Sequence, residues 1–569
     1  MVAGLIQRKL PSFSLLGRLE VERGIFASAG PAFNITRLAR RVGLYVQRIL
    51  HGEEAGKLSV RFPRREQLTI NMATARAINV FPNWRVLEQA DLLNEELEDV
   101  DRKLSLASAV REAIAENLDL AAASKEVAAG AENVGLARST LLPQLDISAQ
   151  GVVIDKDRAE ASFGSQAEGT ISGSATLSQV LYSEPAWANL SIQEDLQSAL
   201  EQEREQLRLD ITLDAATAYL NVLRAKTFQR IQKDNLNLTR SNLDLAQLRV
   251  AIGSAGRQEV FRWESEVASS RIDVIAANAQ RDQAEIALNQ LLHRPLEEPF
   301  ITAEAGLEDS ALLTSDQRLF TYTGNPWYFE VFRDFMVQEG VAASPELKQL
   351  DAAIAAQERA LTSANNAFWA PTIALQGDVT NIFSRSGAGS SGSTFTLPPP
   401  LPSLSFPTAD DLNWNVALRL SLPIFNGAER FVARTQAREA LAQLRLEREA
   451  TEERIEQRIR TAIHQAGVSY PAIRWSRAAD TASHKNLELV TDAYSRGAVD
   501  IIRLIDAQNA ALIASLAEEN AVYDFLIDFM NIQRTVGTFD IFMSKEEREA
   551  WFGRLESYFE KVGASPGRR

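Results

Sequence analysis

The sequence predicts a mainly α-helical protein with a membrane β-barrel portion, to which each copy lends a few strands, and a small α/β segment at the N-terminus. Three observations predict it. LLPQLDISAQG (Leu141 to Gly151) recurs in outline as WAPTIALQGDV (Trp369 to Val379), each a proline followed by alternating apolar and polar residues, so the architecture is a duplication. Each copy leads through a second alternating stretch into helical sequence far longer than a globular helix. Four such strands are all the sequence supplies, too few to close a barrel within one chain.

The offset between the copies is 228 from Pro143 to Pro371, 243 from Leu177 to Leu420 and 244 from Gly253 to Gly497. The second copy is therefore longer between its paired strands, in the Gly/Ser/Pro-rich loop from Ser384 to Pro407. From Ala186 to Ile252 there is no glycine or proline, enough for a helix of roughly 100 Å at about 1.5 Å per residue. After GSAG (Gly253 to Gly256), Val260, Val267, Val274 and Leu288 recur at sevens, with Trp263, Ala277, Ala284 and Leu291 three places later, a coiled-coil seam. The second copy repeats the plan: Ala428 to Ala466, a kink expected at Gly467 and Pro471, a turn at Gly497, and a return over Ala498 to Val536. Two long antiparallel helical hairpins are expected.

The strands are read from period two. Leu145, Ile147, Ala149, Gly151 and Val153 alternate with Asp146, Ser148 and Gln150, and Ile171, Gly173, Ala175 and Leu177 alternate with Thr170, Ser172, Ser174 and Thr176. The second copy sets Ile373, Leu375, Gly377 and Val379 against Thr372, Gln376 and Asp378, then Trp414, Val416, Leu418 and Leu420 against Asn415 and Arg419. Strands are expected at about 143–154, 169–182, 371–383 and 413–425. Alternation alone fits a half-buried soluble sheet more economically. Its length of about ten residues also fits a tilted membrane strand with a wet lumen. Four strands cannot cover hairpins of this length, and lipid does not tolerate open strand edges. A symmetric homo-oligomer sharing one barrel is therefore expected.

Composition narrows the function. The net charge of -15 argues against a nucleic-acid partner, and the absence of cysteine removes disulfide and thiol chemistry. No run of eighteen uncharged apolar residues could span a membrane as a helix. The first 25 residues have no continuous apolar stretch, so an export signal, if one is used, is expected upstream of Met1.

From about Lys103 to Asp540 the chain resembles the TolC-like outer-membrane efflux proteins. The resemblance is carried by NLDLAAA (Asn117 to Ala123), ARSTLLPQLDISAQG (Ala137 to Gly151), LSQVLYSEPA (Leu177 to Ala186), LSLPIFNGAE (Leu420 to Glu429) and AYSRGAVDIIRLIDAQNA (Ala493 to Ala510). It implies a homotrimer with a twelve-stranded barrel in outer-membrane lipid, continued through the periplasm by an α-helical tunnel. It further implies a passive exit duct for small molecules or proteins, docked on a periplasmic membrane-fusion adaptor and an inner-membrane pump of RND or ABC type. The adaptor-contact tips would be Gly253, Ser254, Ala255 and Gly256 with Arg496, Gly497, Ala498 and Val499. The gate candidates are Glu259, Tyr494, Arg503 and Asp506. Val499 stands where some members carry a basic gate residue, and Arg503 where some carry an acid, so the entrance is expected to be less acidic than is usual in the family. The bland alternative is that Glu259, Arg503 and Asp506 are solvated helix faces.

The expected organisation is a partial α/β segment over 1–98, a first efflux repeat over 99–300, an equatorial linker over 301–343, a second repeat over 344–540, and a C-terminal helix and tail over 541–569. The first segment reads helix, strand, strand, helix over Asn34 to Phe62 and Leu68 to Glu96, and resembles the C-terminal part of ABC-type periplasmic substrate-binding proteins. The aromatic stretch RLFTYTGNPWYFEVFRDFM (Arg318 to Met336) is expected to pack at the equator, and Glu546 to Gly563 to form an amphipathic helix returning there.

GAGSSG (Gly387 to Gly392) satisfies G-x-G-x-x-G but continues into STFTLPPPLPS rather than a helix, so a flexible cell-surface loop is the better reading. Asp410 and Asp411 close the same loop without forming an acid and base pair. His293 and His464 have no ligand pattern around them. No catalytic residue, cofactor or metal site is expected. The competing reading from another class is a periplasmic coiled-coil scaffold or solute-binding interaction protein whose strands never enter lipid.

Overall fold

A computed structural model of the chain describes residues 2–31, 42–43, 45–46, 49–57, 66–87, 90–94, 102–162, 164–307, 313–395, 402–406 and 410–564. It divides into two compact units, one of residues 1–117, 210–335 and 460–569, the other of residues 118–209 and 336–459.

The second unit carries the long strands: β1 (Gln144–Val153), β2 (Gly169–Tyr182), β3 (Thr372–Ser386) and β4 (Leu412–Ser421). They form one antiparallel sheet in the order β4-β3-β2-β1, so the two repeats meet along β2 and β3. The register aligns Asp146, Thr176, Asp378 and Asn415 on one rung and Leu145, Leu177, Gly377 and Val416 on the next. Period two thus becomes two faces. On the polar face the Thr176 hydroxyl donates to Asp378 at 2.8 Å, joining the repeats. On the apolar face Ile147 is 82% exposed, Trp414 72% and Leu418 68%. β4 stops at Ser421 rather than running to 425. Pro423 has no N–H to extend the ladder, and Gly427 and Ala428 turn the chain at φ 66° and 68°.

The GAGSSG segment is held in place, contrary to the flexible loop expected. The Glu168 carboxylate accepts from the Ala388 N–H at 3.0 Å, and the Glu168 N–H donates to the Ala388 carbonyl at 2.8 Å. Gly389 adopts φ +68°, and a Cβ there would lie 2.4 Å from the Gln166 carbonyl oxygen, so only glycine fits. Residues 396–401 and 407 of the expected loop lie outside the described residues.

Six helices build the hairpins: α1 (Leu118–Ser139), α2 (Glu184–Ala251), α3 (Arg257–Leu291), α4 (Pro345–Asn366), α5 (Glu429–Ser495) and α6 (Ile501–Val536). At the head of α2 the buried Glu184 carboxylate accepts from Arg359 at 2.7 Å and Asn366 at 3.1 Å, tying the first repeat to α4 of the second. In the first unit α3 buries Trp263, Val267, Ala277 and Leu288, as its heptad pattern requires. Helical structure continues unbroken through Pro471, where the sequence leads one to expect a kink. Gly467, four residues earlier, has the carbonyl the proline ring presses on, and its missing side chain makes room for the Phe329 ring, 3.2 Å from where a Cβ would stand.

The aromatic stretch packs within the first unit. Phe320 stacks on Tyr470 at 5.1 Å, Tyr322 meets Phe559 edge-on at 4.9 Å, and Phe335 meets Trp551 at 5.7 Å. Trp551, Phe552, Leu555 and Phe559 are the buried stripe of the C-terminal helix Lys545–Val562, which a Ser544/Glu547 capping box starts. His464 packs edge-on against Phe329 and lies 3.2 Å from Arg333.

At the N-terminus the strands Phe13–Ser14, Ala27–Pro31, Glu66–Asn71 and Asp91–Leu93 form a mixed sheet in chain order. The third runs directly into the helix Met72–Ile78, which Asn71 caps by accepting the Thr74 N–H. The first two strands come from residues that carry no strand pattern of their own. Most of the helix and strand expected over Asn34 to Phe62 lies outside the described residues.

Asp540 is a buried carboxyl group of the first unit. Its side chain accepts the Leu313 N–H at 2.6 Å, and burial pushes its pKa up to about 6. The folded protein therefore holds this proton more tightly than the unfolded chain. The associated stability is full below about pH 4 and is lost as pH rises through about 6, a change on the order of 3 kcal/mol. Asp540→Asn, which cannot titrate, is expected to flatten the fall in thermal melting between pH 5 and 7, as scanning calorimetry would read. Parallel pH profiles for parent and variant would contradict the assignment.

Candidate functional site at the hairpin tips

The two hairpin turns are built alike. At the first, Gly253 adopts φ 77°, its N–H donates to the Val250 carbonyl, and the Ser254 N–H donates to the Arg249 carbonyl at 2.9 Å. At the second, Gly497 adopts φ 77°, its N–H donates to the Tyr494 carbonyl at 3.0 Å, and the Ala498 N–H donates to the Ala493 carbonyl at 2.9 Å. Both are left-handed glycine caps that satisfy the last carbonyls of a long helix and reverse the chain. The returning helices differ: Gly256 caps α3 with no side chain, whereas the Asp500 carboxylate caps α6 by accepting the Arg503 N–H at 3.0 Å.

Behind the turns lies one cluster in the first unit. The Tyr494 ring is fully buried, and its hydroxyl donates to Glu259 Oε2 at 2.6 Å. The Arg249 guanidinium lies 4.1 Å from the centre of that ring, with Nη1 3.4 Å from the same Glu259 oxygen. Its Nη2 also lies 4.0 Å from where a Cβ on Gly497 would be, so one cation underlies both turns. Leu245, Ala246, Trp263, Leu487, Leu504 and Ile505 close the cluster off from water. The buried Arg249 cation attracts the half-buried Glu259 without a hydrogen bond at Nη1, the neutral Tyr494 hydroxyl donates to the same carboxylate, and the cation and ring attract further. Burial first, and then the bond to Glu259, push the Tyr494 pKa up to about 12. The phenol therefore remains a donor throughout physiological pH.

The gate candidates thus divide. Glu259 and Tyr494 meet inside the protein, which corrects the solvated-face alternative for Glu259. Arg503 and Asp506 are exposed on α6, opposite buried Leu504, Ile505 and Ala507, and among the described residues no ion pair links them. Val499 and Ile501 pack partly buried against the cluster. Of the remaining tip residues, Ala255 and Gly256 are half-buried, while Ser254, Arg496 and Gly497 are exposed, with Arg496 paired to Asp492. Arg249 was not a candidate in the sequence. Its signal was available: Asn235, Asn242 and Arg249 recur at sevens along α2, polar residues on a stripe whose neighbours are apolar.

A sheet with one apolar and one polar face thus stands in the same chain as paired helical hairpins of this length. Residues 109–293 and 336–538 match the family described as Outer membrane efflux protein, and the chain belongs to it. It is 22% identical over 411 residues to the outer membrane protein TolC of Vibrio cholerae serotype O1, covering 72% of this chain and 84% of that protein. To Escherichia coli K12 TolC it is 24% identical over 443 residues, covering 76% and 82%. The pyoverdine export outer membrane protein OpmQ of Pseudomonas aeruginosa is 30% identical over 201 residues, covering 34% and 42%. Among solved structures, CusC matches with a TM-score of 0.61 at 16% identity, covering 76% of this chain and 92% of that one. The MtrE channel of Neisseria gonorrhoeae matches with 0.59 at 19% identity, covering 76% and 89%. The fold is that of these channels, and the chain is an outer-membrane efflux channel protein. The N-terminal sheet lies before the family match begins.

Tyr494→Phe removes one charge-assisted hydrogen bond, about 2 kcal/mol, and Arg249→Met removes the cation that faces both Glu259 and the ring. Amide hydrogen exchange at residues 250–260 and 494–500 is expected to quicken about thirtyfold in the first variant and more in the second. Because the tyrosine pKa is raised, the hydrogen bond should survive to pH 10 and fail between about 10 and 12. Unchanged protection in both variants would show the cluster to be idle.

Proposed function

We propose that three copies of this chain close a twelve-stranded barrel in the outer membrane and a helical tunnel in the periplasm. This duct passively conducts what an inner-membrane pump of RND or ABC type delivers through a periplasmic membrane-fusion adaptor. The observation that carries the reading is the sheet itself. β1 and β4 each have one unpaired edge, while Ile147, Trp414 and Leu418 stand exposed on its apolar face. In water such a face would be covered; in lipid it is correct, provided that further copies complete the edges.

The tips, residues 253–256 and 496–499, are the adaptor contacts in this reading. The Arg249, Glu259 and Tyr494 cluster behind them is the lock that keeps the periplasmic entrance narrow. What supports the lock is its division between the hairpins: Arg249 and Glu259 sit in the first and Tyr494 in the second, so opening must break both contacts that Tyr494 makes. Exposed Asp506 would line the aperture as a ring of three carboxylates, with Arg503 one turn away partly offsetting it.

Substituting Asp at Leu145, Leu177, Leu375 and Leu420 places charge on the lipid face at about 2 kcal/mol or more per site near the midplane. Outer-membrane trimers should disappear from fractionated, cross-linked cells. Parent-like trimers in that variant would refute the barrel. Asp506→Ala is expected to lower cation preference in planar-bilayer reversal potentials, and unchanged selectivity would return Asp506 to the solvated surface.

A further inference from the structure

We propose that Gln508, with Asn235, Thr239 and Asn242, is a register catch that holds α6 at one position along α2 and so sets the closed state of the entrance. The inference rests on the gate reading above and adds a second element to it.

Gln508 is 5% exposed, yet its whole amide is used. Nε2 donates to Asn235 Oδ1 at 2.8 Å and to Thr239 Oγ1 at 2.6 Å, and Oε1 accepts from Asn242 Nδ2 at 2.8 Å. Asn242 and Thr239 are buried as well, at 3% and 1%. The three partners occupy positions i, i+4 and i+7 of α2, one stripe of that helix, and the surrounding seam is Leu236, Leu243, Leu504, Ile505 and Ala511. Apolar side chains tolerate sliding; this tetrad does not. Moving α6 by one turn would bring Leu504 or Ala511 opposite the three polar side chains, taking the Gln508 partner from buried Asn242 Nδ2 and from Asn235 Oδ1, while Thr239 keeps only its bond to the Asn235 carbonyl. A buried amide on an apolar helix seam specifies register in this way at some cost in stability.

The duplication sharpens the point. At the offset of 244 that relates the hairpin tips, Gln508 corresponds to Glu264, and Thr239 and Asn242 correspond to Ser483 and Asn486. Glu264 and Asn486 are exposed, so the hairpin fold does not require the tetrad. It belongs to the contact between the first repeat's α2 and the second repeat's α6. The same stripe of α2 continues, seven residues beyond Asn242, to Arg249 of the tip cluster. Release of the tips and release of the register are thus coupled along one helix.

The test separates positioning from mere stabilisation. Purified trimers of the parent, Thr239→Val, Gln508→Leu and the fourfold variant N235L/T239V/N242L/Q508L are compared in planar bilayers and by melting, with Tyr494→Phe as a control. The fourfold variant leaves no buried polar group unpaired, so it should melt at or above the parent. If the tetrad sets register, it nevertheless shows several conductance levels, and Gln508→Leu raises occupancy of the open level about tenfold. Thr239→Val, which alters a single oxygen, should shift occupancy in the same direction and covers failure of the larger variants to assemble. A fourfold variant with the parent's single low level, or unaltered occupancy in Thr239→Val, while Tyr494→Phe opens the channel, overturns the catch and leaves the lock standing. Silence in Tyr494→Phe as well removes the gate reading on which the catch rests.

Discussion

An amide left without a partner in hydrocarbon costs several kcal/mol, and this one constraint organises the molecule. A sheet of four strands with two open edges and an apolar face is unstable in lipid alone and aggregation-prone in water. Membership of the outer-membrane efflux family and the exposure of Ile147, Trp414 and Leu418 agree with the lipid setting and shared edges proposed above. The two repeats meet along β2 and β3, and Thr176 to Asp378 and Glu184 to Arg359 and Asn366 bind them at successive levels.

The duplication supplies symmetry, and buried polar groups break it. Both tips use the same glycine cap, with the same two backbone hydrogen bonds, because the chain reversal is identical. Behind the caps the copies part company. Val250 stands where Tyr494 stands in the second copy, and Glu264 where Gln508 does. Asymmetry of this kind makes the contact between repeats directional: Tyr494 reaches Glu259, and Gln508 reaches α2, with no counterpart the other way. Apolar seams provide most of the cohesion, but only the few satisfied polar groups can distinguish one helix position from another.

Legibility from sequence followed the strength of periodic signals. The strands, the seam of α3 through Trp263, Val267 and Leu288, and the amphipathic C-terminal helix all repeat at a fixed period, and the structure places their apolar residues together. Single-residue signals were weaker. Pro471 does not end its helix, and the space left at Gly467, four residues earlier, is occupied by the Phe329 ring. The glycine-rich segment after β3 reads as a flexible loop, yet Glu168, 220 positions away, holds it through Ala388. Short strands at the N-terminus escaped because two to five residues are too few to show a period.

By itself the sequence determined the duplication, the strand faces, the hairpin turns and the family, because each is written in local period or in motifs contiguous along the chain. Only tertiary structure decided which polar residues matter. Arg249, Glu259 and Tyr494 come from three helices, as Gln508 and its three partners come from two, and although Asn235, Asn242 and Arg249 mark one stripe of α2 at sevens, no local pattern says which residues they meet. Their burial, and the bonds that make burial tolerable, arise when two hairpins pack, and that is a property of distance in space which no local pattern encodes.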